Sequence, residues 1–216
     1  QITGKTARKL AFEIMGDSAS ADGSNDSFAY NTGWSQRALH AAQIPFITNG
    51  ASGNSLAIQI ESWGSTAAQQ ARRKLVRANG AISHVLCGLC TNDFASGATD
   101  AQVLARLATL KTQMDAIGVK VIPVTSMPRT NPANNAKYSA DSVNLWTYRR
   151  NFNDAIRANN GVGYGYFDSA LYTQDPGNID LWRTDLGTPT SDGIHPSSAV
   201  HSAMATAATA FFNTFK

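Results

Sequence analysis

Two short polar motifs in this sequence contain residue types that together can carry out nucleophilic catalysis. The first is Gly16-Asp17-Ser18, which ends an apolar run, and the second is the Asp192-x-x-His195 spacing within the stretch TSDGIHPSS. A serine hydroxyl is a weak nucleophile until a neighbouring base removes its proton. An aspartate three residues before a histidine can accept from Nδ1–H, which leaves Nε2 available as that base. The two motifs predict a nucleophile, a base and an orienting acid.

Each motif also has an ordinary structural interpretation. Glycine, aspartate and serine are common turn residues, so Ser18 could simply follow the end of a strand. Asp192-Gly193 could form a turn, with Pro196 as the first residue of the last helix. The remaining histidines are His40, His84 and His201. Each lies in a helical or strand pattern, which favours a packing or surface position. The catalytic interpretation therefore depends on whether the fold brings the two motifs together.

Short apolar runs without polar alternation predict buried parallel strands, and helical patterns lie between these runs. This alternation predicts one α/β domain over residues 1–216, a flavodoxin-like three-layer sandwich with helices on both faces of a five-stranded parallel sheet of order 2-1-3-4-5. Strands are predicted at 10–15, 44–48, 82–89, 119–124 and 164–167. Helices are predicted at 33–42, 65–78, 100–117, 141–158 and 197–213.

The predicted strand order places three polar loops side by side. Ligands of such sheets bind beyond the carboxyl ends of the strands, at the switch point between strands 1 and 3. The loops after the first three strands contain Gly16-Asp17-Ser18, the 49–54 stretch NGASGN and Cys90-Thr91-Asn92-Asp93. Gly50 and Gly53 of the second loop could serve only a tight turn, and Asn92-Asp93 of the third loop could cap a helix. Alternatively, both loops donate hydrogen bonds towards Ser18.

Taken together, the polar motifs resemble those of the GDSL/SGNH hydrolases, which are serine esterases on a flavodoxin-like fold. Gly16-Asp17-Ser18 matches the first family motif, Gly53 the second, Thr91-Asn92-Asp93 the third and Asp192 to His195 the last. These blocks extend over nearly the whole chain. The third motif departs from the family at Cys90, where the family usually has glycine, and a side chain there could crowd the pocket or shift the loop.

The resemblance implies a role for each matching residue. Ser18 is the implied nucleophile, His195 the general base and then the general acid, and Asp192 the residue that orients His195. The implied oxyanion hole consists of the backbone N–H groups of Ser18 and Gly53 with the side-chain amide of Asn92. Preorganised donors of this kind lower the barrier by about 3–4 kcal/mol each in comparable enzymes. No metal and no cofactor is required, and the sequence lacks the G-x-S-x-G elbow of standard α/β-hydrolases.

The substrate expected from these features is a short acyl ester, acetyl foremost, and a carbohydrate is one candidate for its alcohol part. The loops predicted to line the pocket, 19–32, 126–140 and 170–191, contain no long apolar stretch for a fatty-acyl tunnel. Their aromatic residues, with asparagine and aspartate, suit a carbohydrate that carries the acyl group, and they equally suit core packing. Tyr30 and Trp182 are the predicted substrate-binding residues.

Three other functions stay open at this point. A non-catalytic carbohydrate-binding or attachment module would keep the fold without turnover, although an intact nucleophile, base and acid argue against it. An acyltransferase could use the same three residues and would prefer a sugar acceptor over water. A flavodoxin-type electron carrier shares the fold, which alone does not give function, and would contain flavin.

The overall composition narrows the setting in which this protein works. Charged residues make up 15% of the chain, against about 25% in typical soluble domains, which favours an extracellular or virion-associated protein. The net charge is +3, and the basic cluster at 72–77 lies in a helical pattern that indicates a solvated helix face rather than a nucleic-acid patch. No apolar run reaches the length of a membrane span.

The ends of the chain and its cysteines add two further expectations. The chain begins with Gln1 and shows no signal peptide, which favours a processed protein or an excised domain. Cys87 and Cys90 lie in a strand pattern, so we interpret them as small buried hydrophobes rather than a redox or zinc pair.

Overall fold

The described part of the chain forms a parallel sheet with helices packed against it. The computed structural model describes residues 9–21, 33–62, 80–131, 136, 144–159 and 161–216. The strands are β1 (Phe12–Gly16), β2 (Phe46–Thr48), β3 (His84–Gly88) and β4 (Lys120–Pro123). The helices are α1 (Ser18–Ala21), α2 (Trp34–Ala41), α3 (Thr91–Ala95), α4 (Asp100–Asp115), α5 (Leu145–Ala158), α6 (Ser169–Thr173) and α7 (Ser198–Asn213), and Ile58–Ser62 forms a π-helical turn.

The central strands are apolar because both faces of the sheet are covered. Successive side chains of a strand point to opposite faces. In β1, Ile14 packs into a core that includes α2 and α7, whereas Met15 packs into a second core that includes α4 and α5. In β3, Leu86 and Val85 divide between the same two cores. The edge strand β2 departs from the prediction of burial, since Ile47 is 38% exposed.

The strand order places the ends of β1 and β3 side by side. The order is β2-β1-β3-β4, and all three pairings are parallel, with Gly16 of β1 opposite Gly88 of β3. This order matches the first four positions of the predicted arrangement. The loops after β1, β2 and β3 therefore leave the sheet at the same edge.

The prediction of a fifth strand at 164–167 is wrong, because this segment makes only an isolated parallel bridge between Phe167 and Val124. Pro123 of β4 accepts a hydrogen bond from the Phe167 N–H at 3.0 Å but has no N–H of its own to donate. Gly165 adopts a φ of +98°, which also breaks the extended run. The described sheet consequently has four strands rather than five.

Helices form close to the predicted ranges wherever the chain is described. Thr99 and Gln102 form a capping box at the start of α4, so this helix begins where its sequence predicts. The predicted helix 65–78, with the basic cluster at 72–77, lies outside the described residues, as does the start of the predicted helix 141–158. Within the described part of the chain, no helix is long and apolar enough to cross a membrane.

The complete burial of Phe12, the first residue of β1, leads to a prediction about stability. Phe12 has no exposed surface and packs against the rings of His84 and Phe212. We expect Phe12→Ala to lower the free energy of unfolding by about 3–5 kcal/mol, because the substitution removes buried apolar surface and also leaves a cavity in the core. Leu171→Ala, at a position 57% exposed, is the control and should change it by less than about 0.5 kcal/mol. Guanidinium denaturation measures both, and similar values for the two variants would contradict the described core.

Candidate active site

Ser18, His195 and Asp192 form one continuous hydrogen-bonded chain, although 177 residues separate Ser18 from His195. The Oγ of Ser18 lies 2.7 Å from Nε2 of His195, and Nδ1 of His195 lies 2.5 Å from Oδ2 of Asp192. In this arrangement Nε2 can accept the serine proton while Nδ1–H donates to the carboxylate. All three residues are partly exposed, so a substrate can reach them.

The end of β1 positions Ser18. The strand ends at Gly16, and after Asp17 the chain turns into α1, whose first residue is Ser18. The carbonyl of Gly16 accepts hydrogen bonds from the backbone N–H of Ala51 and the side chain of Asn54, both at 3.2 Å. These bonds hold the loop after β2 directly beside Ser18.

The carboxylate of Asp192 folds the loop that contains His195. Its Oδ1 accepts from the backbone N–H groups of Ile194 at 2.9 Å and His195 at 2.8 Å, while Oδ2 is left for the imidazole. Gly193 adopts a φ of +80°, a conformation that favours glycine. One aspartate therefore both shapes the loop and orients the histidine ring.

The same contacts keep Asp192 ionised. Partial burial on its own raises the pKa of this carboxyl, but hydrogen bonds from the backbone and imidazole of His195 and from the Ile194 backbone outweigh burial, and the pKa is lowered. An ionised carboxylate can stabilise the imidazolium that forms when His195 takes a proton. The electrostatics of the loop thus suit a general base.

The loops after β2 and β3 are joined to each other at the edge of the site. Nδ2 of Asn92 donates to the carbonyl of Asn54 at 2.9 Å, and Asn54 is itself bound to Gly16. Gly53 sits in the tight turn that closes with the Asn54 N–H on Ala51, and its φ is +75°. The structure thus places Gly53 and Asn92 on two linked loops next to the loop of Ser18.

Asp93 is a supporting residue that sequence reasoning did not single out. Its buried carboxylate accepts from the backbone N–H groups of Leu56 at 2.8 Å and Ala57 at 3.1 Å, and it pairs with Arg106 at 2.8 Å. Asp93 therefore fastens the loop after β2 to α3 and α4. The only signal in the sequence was its place in the third motif, where helix capping was the simpler interpretation.

Cys90 does not occupy the positive-φ region that favours glycine. Its φ is −175° and its ψ is −29°. The thiol is buried and hydrogen-bonded to Ser126, and burial raises its pKa. Cys87 is also buried, and no disulfide joins the two cysteines, consistent with small packing residues.

The predicted substrate contacts at Trp182 and Tyr30 have different outcomes. Trp182 has no exposed surface, and its Nε1 donates to the carbonyl of Gly193 at 3.0 Å. The prediction that it binds substrate is therefore replaced by a supporting role beneath the His195 loop. Tyr30 lies outside the described residues.

A small cavity of about 10 Å³ lies at the carboxyl ends of β1, β3 and β4 and is large enough for about one water molecule. Asp17, Cys90 and Ser126 border it. Asp17 accepts from the Ala19 N–H at 3.0 Å, but burial dominates and raises the pKa of Asp17 to about 6. This carboxyl is costly to ionise in the folded protein.

A Ser–His–Asp chain beyond the carboxyl end of a parallel α/β sheet is the site geometry of a serine hydrolase. Comparison of the sequence with known families identifies the family of this chain. Residues 14–203 match the model of the GDSL-like lipase/acylhydrolase family. The chain belongs to this family and is an ester hydrolase.

Solved structures with the same fold share little sequence with this chain. A GDSL-like lipase from Bacteroides thetaiotaomicron superposes with a TM-score of 0.64 at 15% identity, covering 98% of this chain and 93% of its own. The psychrotrophic esterase EstA from Pseudoalteromonas sp. superposes with a TM-score of 0.59 at 15% identity, covering 96% of this chain and 97% of its own. Est24, a carbohydrate acetylesterase from Sinorhizobium meliloti, superposes with a TM-score of 0.60 at 16% identity, covering 96% of this chain and 100% of its own. No curated protein matches the sequence.

The two oxygens of Asp192 generate a prediction about turnover. In Asp192→Asn one oxygen still accepts the backbone N–H groups of the loop, but an amide beside Nδ1 holds His195 in the wrong tautomer. We expect kcat for p-nitrophenyl acetate to fall by about 10⁴-fold, as in comparable triads. Asp185→Asn, an exposed partner of Arg183, is the control and should retain kcat. A loss of less than about tenfold in Asp192→Asn would show that this carboxylate does not orient the base.

The raised pKa of Asp17 generates a prediction about pH and stability. As pH rises from about 4 to about 6, the unfolded chain releases this proton while the folded protein retains it, so the free energy of unfolding falls. The fall amounts to at most about 3 kcal/mol. Asp17→Asn should remove this contribution and gain stability relative to the wild type across the window.

Urea denaturation at pH 4, 5 and 6 measures this difference. Asp185→Asn is the matched control, because Arg183 lowers the pKa of Asp185 and no fall arises from that carboxyl. If the free energy of unfolding changes with pH by the same amount in the wild type and in Asp17→Asn, the prediction is contradicted.

Proposed function

We propose that this protein removes acetyl groups from a carbohydrate through an acyl-enzyme intermediate on Ser18. The observation that carries the proposal is the continuous hydrogen-bonded chain from Ser18 through His195 to Asp192. A serine without this base would be a weak nucleophile. Membership of a family of ester hydrolases agrees with the proposed reaction.

The proposed reaction has two steps. Ser18 Oγ attacks the acyl carbonyl while Nε2 of His195 takes its proton, and a tetrahedral oxyanion forms. When this intermediate collapses, His195 returns the proton to the leaving alcohol oxygen, and the acetyl group stays on Ser18. Water then attacks the acyl-enzyme with His195 as the base again, releasing acetate and restoring the serine. Asp192 stabilises the imidazolium in both steps.

The proposed oxyanion donors are the backbone N–H groups of Ser18 and Gly53 with the amide of Asn92. Nδ2 of Asn92 has two hydrogens, and one of them is directed to the carbonyl of Asn54. The second hydrogen is the proposed donor to the oxyanion. Because Asp93 and Gly16 fasten the surrounding loops, these groups need little reorganisation during the reaction, which is the condition for strong electrostatic stabilisation.

One comparison supports a short acyl group on a sugar. Est24, which has the same fold, is a carbohydrate acetylesterase. The ordered Ser18–His195 contact also argues against the alternative of a non-catalytic attachment module, since such a module has no need of an activated serine.

Hydrolysis of p-nitrophenyl esters tests the proposal. We expect kcat/KM to be at least about tenfold higher for the acetate than for the octanoate, and acetate to be released from acetylated xylo-oligosaccharides. Ser18→Ala should abolish both activities, because it removes the attacking oxygen, while Ser202→Ala on α7 should retain them.

Three results would count against parts of this proposal. Turnover that survives in Ser18→Ala would exclude the acyl-enzyme on this serine. Equal rates for acetate and octanoate would exclude the preference for acetyl. Faster transfer of the acetyl group to an added sugar than to water would identify an acyltransferase that uses the same three residues.

A further inference from the structure

An open cleft of about 370 Å³ lies beside the loop that contains Asp192 and His195. Its volume falls within the range of small-molecule sites, about 300–1,000 Å³. The residues that border it are predominantly threonines, with one asparagine, one glycine and one proline. They include Thr130, Asn131, Thr184, Thr188 and Thr190.

The wall of this cleft is bonded directly to the proposed catalytic loop. Thr190 Oγ1 donates to Oδ1 of Asp192 at 3.2 Å and accepts from the backbone N–H of Gly193 at 2.9 Å. The backbone N–H of Thr130 donates to the Gly193 carbonyl at 2.8 Å. His195 contacts the other oxygen of Asp192, so the order of contacts runs from the cleft through Asp192 and His195 to Ser18.

The chemistry of the lining matches a neutral, hydroxyl-rich ligand. Hydroxyl and amide groups can each donate and accept, which is what sugar hydroxyls require. None of the described residues that border the cleft carries a charge, which suits a neutral ligand better than an anionic one.

We propose that this cleft binds the carbohydrate part of the substrate, as a neutral oligosaccharide whose acetylated unit reaches Ser18. The proposal rests on the proposed function, and it assigns the alcohol side of the ester to a defined surface. Thr188, which is exposed at the border of the cleft, is the position from which a large side chain would fill it.

Direct binding tests the cleft independently of turnover. Calorimetry with Ser18→Ala, titrated with plain and acetylated xylotetraose and cellotetraose, should show binding of at least one neutral pair, and tetragalacturonic acid should bind more weakly. Adding Thr188→Trp should weaken binding by at least tenfold. Adding Thr206→Trp, an exposed threonine on α7, is the matched control and should leave binding unchanged.

Kinetics on the protein with Ser18 intact supply the second readout. Thr188→Trp should lower kcat/KM for the acetylated tetraose relative to that for p-nitrophenyl acetate by at least tenfold, chiefly through KM. An unchanged ratio, no binding of any neutral tetraose, or tighter binding of tetragalacturonic acid would overturn the proposal. Absence of Ser18-dependent ester hydrolysis would instead overturn the proposed function, while calorimetry would still decide whether the cleft binds sugars.

Discussion

The two-sided use of the Asp192 carboxylate is the interaction on which the site depends. Oδ1 accepts hydrogen bonds from the backbone N–H groups of residues 194 and 195, and Oδ2 is hydrogen-bonded to Nδ1 of His195. Without the first set of bonds the loop would lose its shape, and without the second the imidazole could present the wrong nitrogen to Ser18. Trp182 supports the loop from the core through the carbonyl of Gly193. The histidine is thus placed by backbone hydrogen bonds and packing together.

The parallel sheet supplies the opposite half of the site. Because β1 and β3 are neighbours in register, the loop with Ser18 and the loop with Asn92 emerge at the same edge. The regular hydrogen bonds of the sheet stop where the strands end. Beyond that point, hydrogen bonds from polar side chains link the loops to one another. Asp93 binds the backbone at 56 and 57, and Asn54 binds Gly16, so the three loops behave as one unit. Buried polar groups here are satisfied by one another, which gives the site a single arrangement.

Much of the fold could be predicted from the sequence, because the apolar runs and helical patterns report burial directly. The fifth strand is the exception. The missing N–H of Pro123 on the neighbouring strand and the positive φ of Gly165 break the pairing, and the apolar run at 164–167 reports burial without reporting either of them. The meeting of Ser18 with Asp192 and His195 follows from two motifs at predicted loop positions. The supporting roles of Asp93 and Trp182 were not predictable, because a buried aspartate or tryptophan gains its partner only from tertiary packing.

Mapping the covalent adduct of diethyl p-nitrophenyl phosphate by peptide mass spectrometry tests the central claim most directly. A serine activated by this chain of hydrogen bonds should be phosphorylated once, on Ser18, and His195→Ala should slow that labelling by at least about a hundredfold. Labelling of a different residue, no labelling, or an equal rate in His195→Ala would contradict the account.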